Sequence, residues 1–187
     1  MKKIAIAALL SAGVAAPAFA SNCYDGIKVG QANYPYSSQY DPSNFYYYTT
    51  NNNQPAYGVL LGCNISPGFA VEAEYNLLGG FDVTGRSIKG SSFGMSAVGF
   101  FPMSREFSLF GKLGLANTAL KDSPRSGASV NATFNYNYTG VTLGFGGQFN
   151  VSRVAGIRFG YDVYEIIDEF NSVNSVGMFS VGGIFKF

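Results

Sequence analysis

The sequence contains no histidine and no tryptophan, and only 12% of its 187 residues are charged. Histidine is the side chain whose ordinary pKa suits proton transfer near neutral pH, so its absence removes the commonest general base. No cluster of Asp and Glu matches a metal-binding loop either. The composition therefore predicts neither an enzyme nor a cofactor or metal site.

Long hydrophobic runs are absent after the first twenty residues. In that segment Lys2 and Lys3 precede an apolar run from Ile4 to Ala16, and Ala18-Phe19-Ala20 has the spacing of a signal-peptidase site. The sequence predicts a cleaved secretory signal over residues 1–20 and one domain over residues 21–187. Without the leader, 10 of the 12 basic residues remain against 11 acidic ones. This balance gives no field that would attract nucleic acid.

Although 47% of the chain is hydrophobic, no later stretch reaches the roughly 18 consecutive apolar residues of a membrane helix. Apolar residues alternate with polar or small ones instead, most clearly over residues 174–187. There the apolar positions are Phe179, Val181, Phe185 and Phe187, and Ser180, Gly182 and Lys186 lie between them. Period two over a whole segment predicts a strand with one apolar face.

Eight segments share this alternation, and their connections alternate between short and long. The predicted strands span residues 26–33, 56–65, 69–78, 91–101, 107–120, 136–149, 154–166 and 174–187. Three tight turns at one rim and four longer loops at the other are typical of a β-barrel in an outer membrane, with periplasmic turns and extracellular loops.

The charges separate the two faces of these strands. The odd-numbered positions that the pattern places outward carry no charge, whereas the even-numbered set holds Lys28, Glu72, Glu74, Lys112, Arg158, Asp162 and Lys186. Lipid would require this division, since Lys or Arg facing the bilayer midplane costs about 2 to 4 kcal/mol. The alternative is a soluble barrel with its polar face outward. That fold explains neither the loop rhythm nor the aromatic residues beside the short turns, which would form a periplasmic belt: Phe69, Phe101, Phe107, Phe149, Phe185 and Phe187.

Four segments carry a family resemblance: FAVEAEYNLLG, FSLFGKLGLANTAL, VAGIRFGYDVYEI and SVGMFSVGGIFKF. With them the chain resembles the small eight-stranded outer-membrane barrels that include the OmpA transmembrane domain, OmpX and the opacity-type porins. The resemblance implies a multi-pass protein of the bacterial outer membrane, in contact with its lipid and lipopolysaccharide. It also implies delivery by the barrel assembly machinery through a closing strand that ends at Phe187.

Function does not follow from this resemblance, because the family holds adhesins, complement-evasion proteins and structural barrels. Its enzymatic relatives among outer-membrane barrels use a histidine base, which this chain lacks. We expect a non-enzymatic barrel that acts in host or surface interaction or in envelope integrity. The alternative is a small-solute channel of the porin or OmpW kind.

Two cysteines follow the leader. Cys23 precedes the first strand and Cys63 lies near the end of the second, so both belong at the periplasmic rim. The oxidising periplasm favours a disulfide between them. The alternatives are two free thiols, or lipidation of Cys23, for which Ser21-Asn22 does not resemble a lipobox.

The inward charges allow two interpretations. Glu72, Glu74, Lys112 and Arg158 fall at similar heights above the short-turn rim. Because eight strands leave an interior just wide enough for side chains, we expect a salt-bridge network that also includes Lys28, Asp162 and Lys186. A selectivity filter is the alternative.

The first long connection, residues 34–54, is rich in aromatic side chains among Ser, Asn and Thr: Tyr34, Tyr36, Tyr40, Phe45, Tyr46, Tyr47 and Tyr48. This composition resembles an antibody paratope and predicts a loop that recognises a host surface or serum protein. Alternatively, strand two begins earlier and part of the tyrosine run forms an upper aromatic belt.

Overall fold

Consecutive strands of the chain pair in antiparallel fashion, and the last strand pairs with the first. The computed structural model describes residues 22–41, 46–83, 86–124, 133–167 and 173–187, so the predicted signal segment lies outside it. The strands are β1 (Cys23–Asp41), β2 (Tyr46–Ser66), β3 (Phe69–Val83), β4 (Arg86–Pro102), β5 (Phe107–Pro124), β6 (Phe134–Asn150), β7 (Ala155–Ile167) and β8 (Val173–Lys186). They form a closed barrel in sequence order, which confirms the predicted fold class.

Closure is made by β1 and β8, whose register runs from Tyr24 opposite Lys186 to Asn33 opposite Gly177. A closed barrel satisfies its backbone groups between strands and leaves no open edge in the wall. In the described ranges, no helix is long and apolar enough to cross a membrane.

Side chains alternate across the wall as the charge pattern predicts. On β3, for example, Val71 and Tyr75 are exposed on the outside, whereas Glu72 and Glu74 are buried inside. The six phenylalanines near the short turns lie at one end of the barrel. Phe69, Phe101, Phe149 and Phe185 are exposed there, and Phe107 and Phe187 are half-buried.

The short turns use local chemistry that sets their geometry. Gly68 between β2 and β3 has φ 94°, a left-handed conformation that favours glycine. In the two four-residue turns, a serine hydroxyl accepts hydrogen bonds from the backbone two and three residues later. Ser104 Oγ accepts from Phe107 N at 3.0 Å, and Ser152 Oγ accepts from Ala155 N at 3.0 Å. The serines thereby satisfy backbone donors that would otherwise depend on water.

At the other rim the strands are longer than the sequence predicts. The expected loop over residues 34–54 is wrong, and strand two begins earlier, as in the alternative. β1 continues to Asp41, β2 begins at Tyr46, and their backbones pair from Tyr34 opposite Asn52 to Asp41 opposite Tyr46. Pro35, Pro55 and the run of asparagines suggested a loop, since these residues are poor strand formers. Cross-strand pairing overrides that weak local preference. The expected loops at residues 79–90 and 121–135 are shortened in the same way.

Above the barrel wall the β1–β2 hairpin separates from its neighbours. The register of β1 with β8 ends at Asn33, and that of β2 with β3 ends at Tyr57. Near this point Gly79 has φ 73°, and a Cβ there would lie 2.5 Å from the Pro55 carbonyl oxygen. In the described part of the chain, the backbones of residues 34–41 and 46–52 therefore pair only with each other. We call this segment the β1–β2 ribbon.

The barrel interior is layered. A lower apolar layer, near the short turns, contains Tyr24, Leu60, Ala70, Val98, Phe110 and Ile184. An upper apolar layer contains Ala32, Tyr34, Ala56, Leu78, Ala116, Tyr164, Val176 and Met178. Buried charged side chains occupy the space between and beside these layers.

Candidate functional site

Four charged side chains meet in the middle of the lumen, one from each odd-numbered strand. Lys28 Nζ lies 2.9 Å from Glu74 Oε2 and 3.0 Å from Asp162 Oδ2. Lys112 Nζ lies 2.6 Å from Glu74 Oε1 and 2.8 Å from Asp162 Oδ1. Each cation thus contacts both anions, and the four form a ring of alternating sign that we call the charge quartet. Its formal charge is zero.

Small residues on the intervening strands leave room for the quartet. Gly58 on β2 and Gly182 on β8 are both directly opposite Lys28. A Cβ at Gly58 would lie 2.9 Å from Lys28 Cε, and one at Gly144 would lie 2.5 Å from Lys112 Cε. The glycines therefore admit long charged side chains into a barrel whose interior is narrow.

A second ion pair lies on the short-turn side of the quartet. Arg158 Nη1 donates to Glu72 Oε1, which also accepts from the Tyr24 hydroxyl at 2.5 Å. Arg158 donates from Nε and Nη2 to Gln148 Oε1, at 3.1 and 2.8 Å. The guanidinium also lies 4.9 Å from the centre of the Phe110 ring, within cation–π range. Glu72 has no exposed surface, so its negative charge is balanced inside the protein by Arg158.

Lys186 differs from the other predicted members of the network. It lies half-buried near the short-turn rim, and its Nζ donates to Asn150 Oδ1 at 2.8 Å. Among the described residues it joins no ion pair, so its inclusion in the predicted salt-bridge network is wrong. Parity placed Lys186 on the inward face correctly, but its position close to the end of β8 keeps it below the carboxylates.

Fully buried side chains lie on both sides of the quartet in the described part of the barrel. Leu78 and Met178 are fully buried on one side of the quartet, and Val98 on the other. A cavity of about 20 Å³ adjoins the quartet, lined in part by Lys28, Lys112 and Ile184. That volume is close to the minimum for a single water molecule. The lumen is thus a packed interior at this depth.

The predicted disulfide between Cys23 and Cys63 is confirmed. The two cysteines are directly opposite in the β1–β2 register, with Cα atoms 4.0 Å apart. Next to the bond, Asn64 N donates to Asn22 O at 2.9 Å, and Phe187 N donates to Cys23 O at 3.1 Å. The bridge therefore fixes the beginning of β1 at the rim where the barrel closes.

The aromatic recognition candidates separate into three groups. Tyr34 is buried in the upper apolar layer and donates to the Leu78 carbonyl at 3.0 Å, so its assignment to a loop is wrong. The backbones of Tyr36 and Tyr40 lie in β1, and those of Tyr46, Tyr47 and Tyr48 lie in β2. Phe45 lies outside the described residues.

Sequence reasoning missed several polar side chains that complete the interior. Tyr24 and Gln148 bind the second ion pair, and Asn76 Nδ2 donates to the Tyr164 hydroxyl at 2.9 Å. All four occupy even-numbered inward positions, so parity could have identified them, but uncharged side chains did not stand out as partners. In the described ranges, no group of three or more His, Cys, Asp or Glu is arranged to hold a metal ion.

Solved structures with the same architecture include three bacterial barrels. Neisserial surface protein A is 16% identical with a TM-score of 0.70, and the match covers 88% of this chain and 97% of that one. Ail of Yersinia pestis, in complex with the heparin analogue sucrose octasulfate, is 18% identical with a TM-score of 0.57 over 89% and 99%. OprG of Pseudomonas aeruginosa is 15% identical with a TM-score of 0.59 over 90% and 97%. At these identities the likeness shows the fold.

No curated protein matches the chain at significant similarity. The family model described as "Outer membrane protein beta-barrel domain" matches residues 6–187. That range includes every strand of the barrel and both ion-pair clusters. The chain belongs to the outer-membrane β-barrel protein family and is a multi-pass protein of the bacterial outer membrane.

Proposed function

We propose that this protein is a non-enzymatic surface barrel whose β1–β2 ribbon contacts a host surface or serum protein. The observation that carries the proposal is a contrast between two parts of the molecule. The lumen is packed with side chains, whereas the β1–β2 ribbon continues past the last pairing with β8 and β3. The barrel then serves as a rigid support, and the ribbon provides the contact surface.

The length and composition of the ribbon suit this role. From Asn33 to Asp41, β1 continues for 8 residues beyond its last pairing with β8, which is about 25 Å at ~3.3 Å per residue. Tyrosines are frequent among Ser, Asn and Thr in this segment. Tyrosine supplies a large contact area at a low cost in conformational entropy, and small polar residues supply adaptable hydrogen bonds.

Two structural relatives support a role at the cell surface. One is a Neisserial surface protein, and the other is an attachment and invasion protein crystallised with a heparin analogue. The balanced quartet and the disulfide also suit a barrel that stabilises the envelope, which is compatible with a binding role for the ribbon. Delivery by the barrel assembly machinery through the end of β8 stays a prediction.

The test replaces Tyr36 and Tyr40 of the ribbon, together with Phe45, which lies outside the described residues, with serine. We expect binding of whole cells to host matrix or serum proteins to fall. The thermal stability of the detergent-solubilised barrel should be unchanged, because Tyr36 and Tyr40 lie beyond the last pairing of β1 with β8. A matched control replaces three wall residues, Tyr57, Tyr75 and Tyr161, with serine. These three side chains lie on the outer, membrane-facing surface of the wall. Their replacement should therefore lower the thermal stability of the barrel.

The two sets of variants distinguish the alternatives. If the ribbon variant loses stability and keeps adhesion, the aromatic residues form a membrane belt and the recognition proposal fails. Equal loss of adhesion in both variants, at equal surface expression, would also contradict it, because the effect would then not depend on the ribbon.

A further inference from the structure

The cavity of about 20 Å³ inside the barrel adjoins both the charge quartet and the guanidinium of the second ion pair. Its lining includes six polar side chains beside the apolar ones: Lys28, Glu74, Lys112, Arg158, Asp162 and Ser180. Each of the six is at most 7% exposed, so bulk solvent and salt screen their charges only weakly. Three of them are cations and two are anions. The cavity therefore has a buried lining with an excess of positive charge.

The hydrogen bonds of the quartet leave donors rather than acceptors for this cavity. An ammonium group has three N–H donors. In the described part of the lumen, Lys28 and Lys112 each use two of them, one on Glu74 and one on Asp162. Every carboxylate oxygen of these two acids therefore already accepts from an ammonium group. One N–H of each lysine remains, and the Ser180 hydroxyl is a further potential donor, so an occupant of the cavity must supply acceptors.

The charges on the short-turn side of the quartet also favour a negative occupant. The quartet itself is neutral, whereas below it Arg158 and Lys186 face a single carboxylate, that of Glu72. An excess of positive charge in a narrow, poorly hydrated interior is costly unless it is paired. One monovalent anion beside Arg158 would balance it.

The volume of the cavity selects the kind of anion. A cavity needs about 10 to 15 Å³ to hold one water-sized particle, so about 20 Å³ admits a single small ion and excludes phosphate, sulfate and carboxylates. Water fits as well, but it brings two O–H donors to a place where every carboxylate oxygen is already engaged. A halide ion accepts from several donors and brings none.

We infer that this cavity is a binding site for a chloride ion. The ion accepts from the third N–H of Lys28, from that of Lys112 and from the Ser180 hydroxyl, and Arg158 adds positive charge on the short-turn side. Because fully buried side chains lie on both sides of the quartet, the ion is enclosed when the barrel closes. The bound ion thus stabilises the packed lumen and joins its two ion-pair clusters.

The test refolds the full barrel in detergent with sodium chloride, sodium bromide or sodium gluconate at equal ionic strength. Gluconate is too large for the cavity. We expect the temperature at which unboiled protein loses its folded gel mobility to be about 5 °C higher in either halide, because an ion that binds only the folded state stabilises it. Ser180→Ala removes one donor and should reduce this shift, and Ser180→Val, which places a methyl group in the cavity, should abolish it. The matched control is Ser96→Ala, which removes a buried hydroxyl on β4 away from the cavity lining and should keep the full shift.

Crystals of the wild type refolded in bromide give an independent readout. Anomalous scattering should show one bromide ion in contact with the ammonium groups of Lys28 and Lys112. Water alone in the cavity would overturn the site. A bromide peak with equal unfolding temperatures in bromide and gluconate would indicate an adventitious ion only and would overturn it as well. An equal halide shift in Ser180→Ala and Ser96→Ala would place the salt effect outside the cavity, and folded gel mobility in gluconate establishes that each variant is folded.

Discussion

Removing one carboxylate from the charge quartet should destabilise the barrel strongly. Glu74 accepts from Lys28 at 2.9 Å and from Lys112 at 2.6 Å. In Glu74→Gln, the two ammonium groups share Asp162 alone, so the lumen carries one uncompensated positive charge. Breaking a buried ion pair in this way costs about 3 to 5 kcal/mol of unfolding free energy. The glutamine is nearly the same size, so lost packing contributes little.

A second substitution separates charge balance from other effects. Glu74→Gln with Lys112→Gln leaves Lys28 paired with Asp162 at 3.0 Å, and the lumen is neutral again. The double variant should therefore lose less stability than the two single variants added together. Glu106→Gln, on an exposed short turn, is the control and should stay within about 0.5 kcal/mol of the wild type.

The measurement is equilibrium unfolding in urea of the barrel reconstituted in lipid vesicles. Because the chain has no tryptophan, the folded fraction is followed by the mobility of unboiled protein on a gel. If Glu74→Gln is as stable as Glu106→Gln, the quartet does not hold the barrel together and the reasoning is refuted.

Two further predictions concern the rim and the lumen glycines. Cys23→Ser with Cys63→Ser should lower the unfolding free energy by at most about 3 to 4 kcal/mol, since the bridge closes a loop of about 40 residues that the barrel already restrains, and thiol labelling of oxidised, denatured wild type should find no free cysteine. Two labelled thiols would contradict the bridge. Gly144→Val should displace the Lys112 side chain and destabilise the barrel by about 1 to 3 kcal/mol, whereas Gly111→Val, whose Cβ would meet nothing within 4 Å, should have little effect in the same urea titration.

The wall of the barrel follows from sequence because two periodic signals coincide. Alternation defines each strand, and lipid forbids charge on one face, so parity alone separates Val71 from Glu72. The cysteine pair follows from the order of the strands, since β1 begins at the rim where its antiparallel neighbour β2 ends. Both inferences depend on the membrane, which imposes the same constraint on every strand.

The ends of the strands at the upper rim could not be predicted from the sequence pattern, because lipid no longer imposes alternation there. Pro35 and Asn51 lie directly opposite each other in the ribbon, and neither favours a strand by local preference. Only the pairing between β1 and β2 extends the hairpin to Asp41. The ion-pair partners of the inward charges could not be predicted from the sequence either. Parity and a count of residues from the rim give the face and an approximate height but not the partner of each charge, so Lys186 was grouped with the network.

The central claim is that the lumen is packed and that the protein acts through its outer surface. Planar-bilayer recording of the purified wild type tests this most directly. We predict no steady conductance, because the quartet and the apolar layers on either side of it fill the interior. Steady conductance whose ion selectivity changes in Glu74→Gln or Lys112→Gln would contradict the account and make the protein a channel.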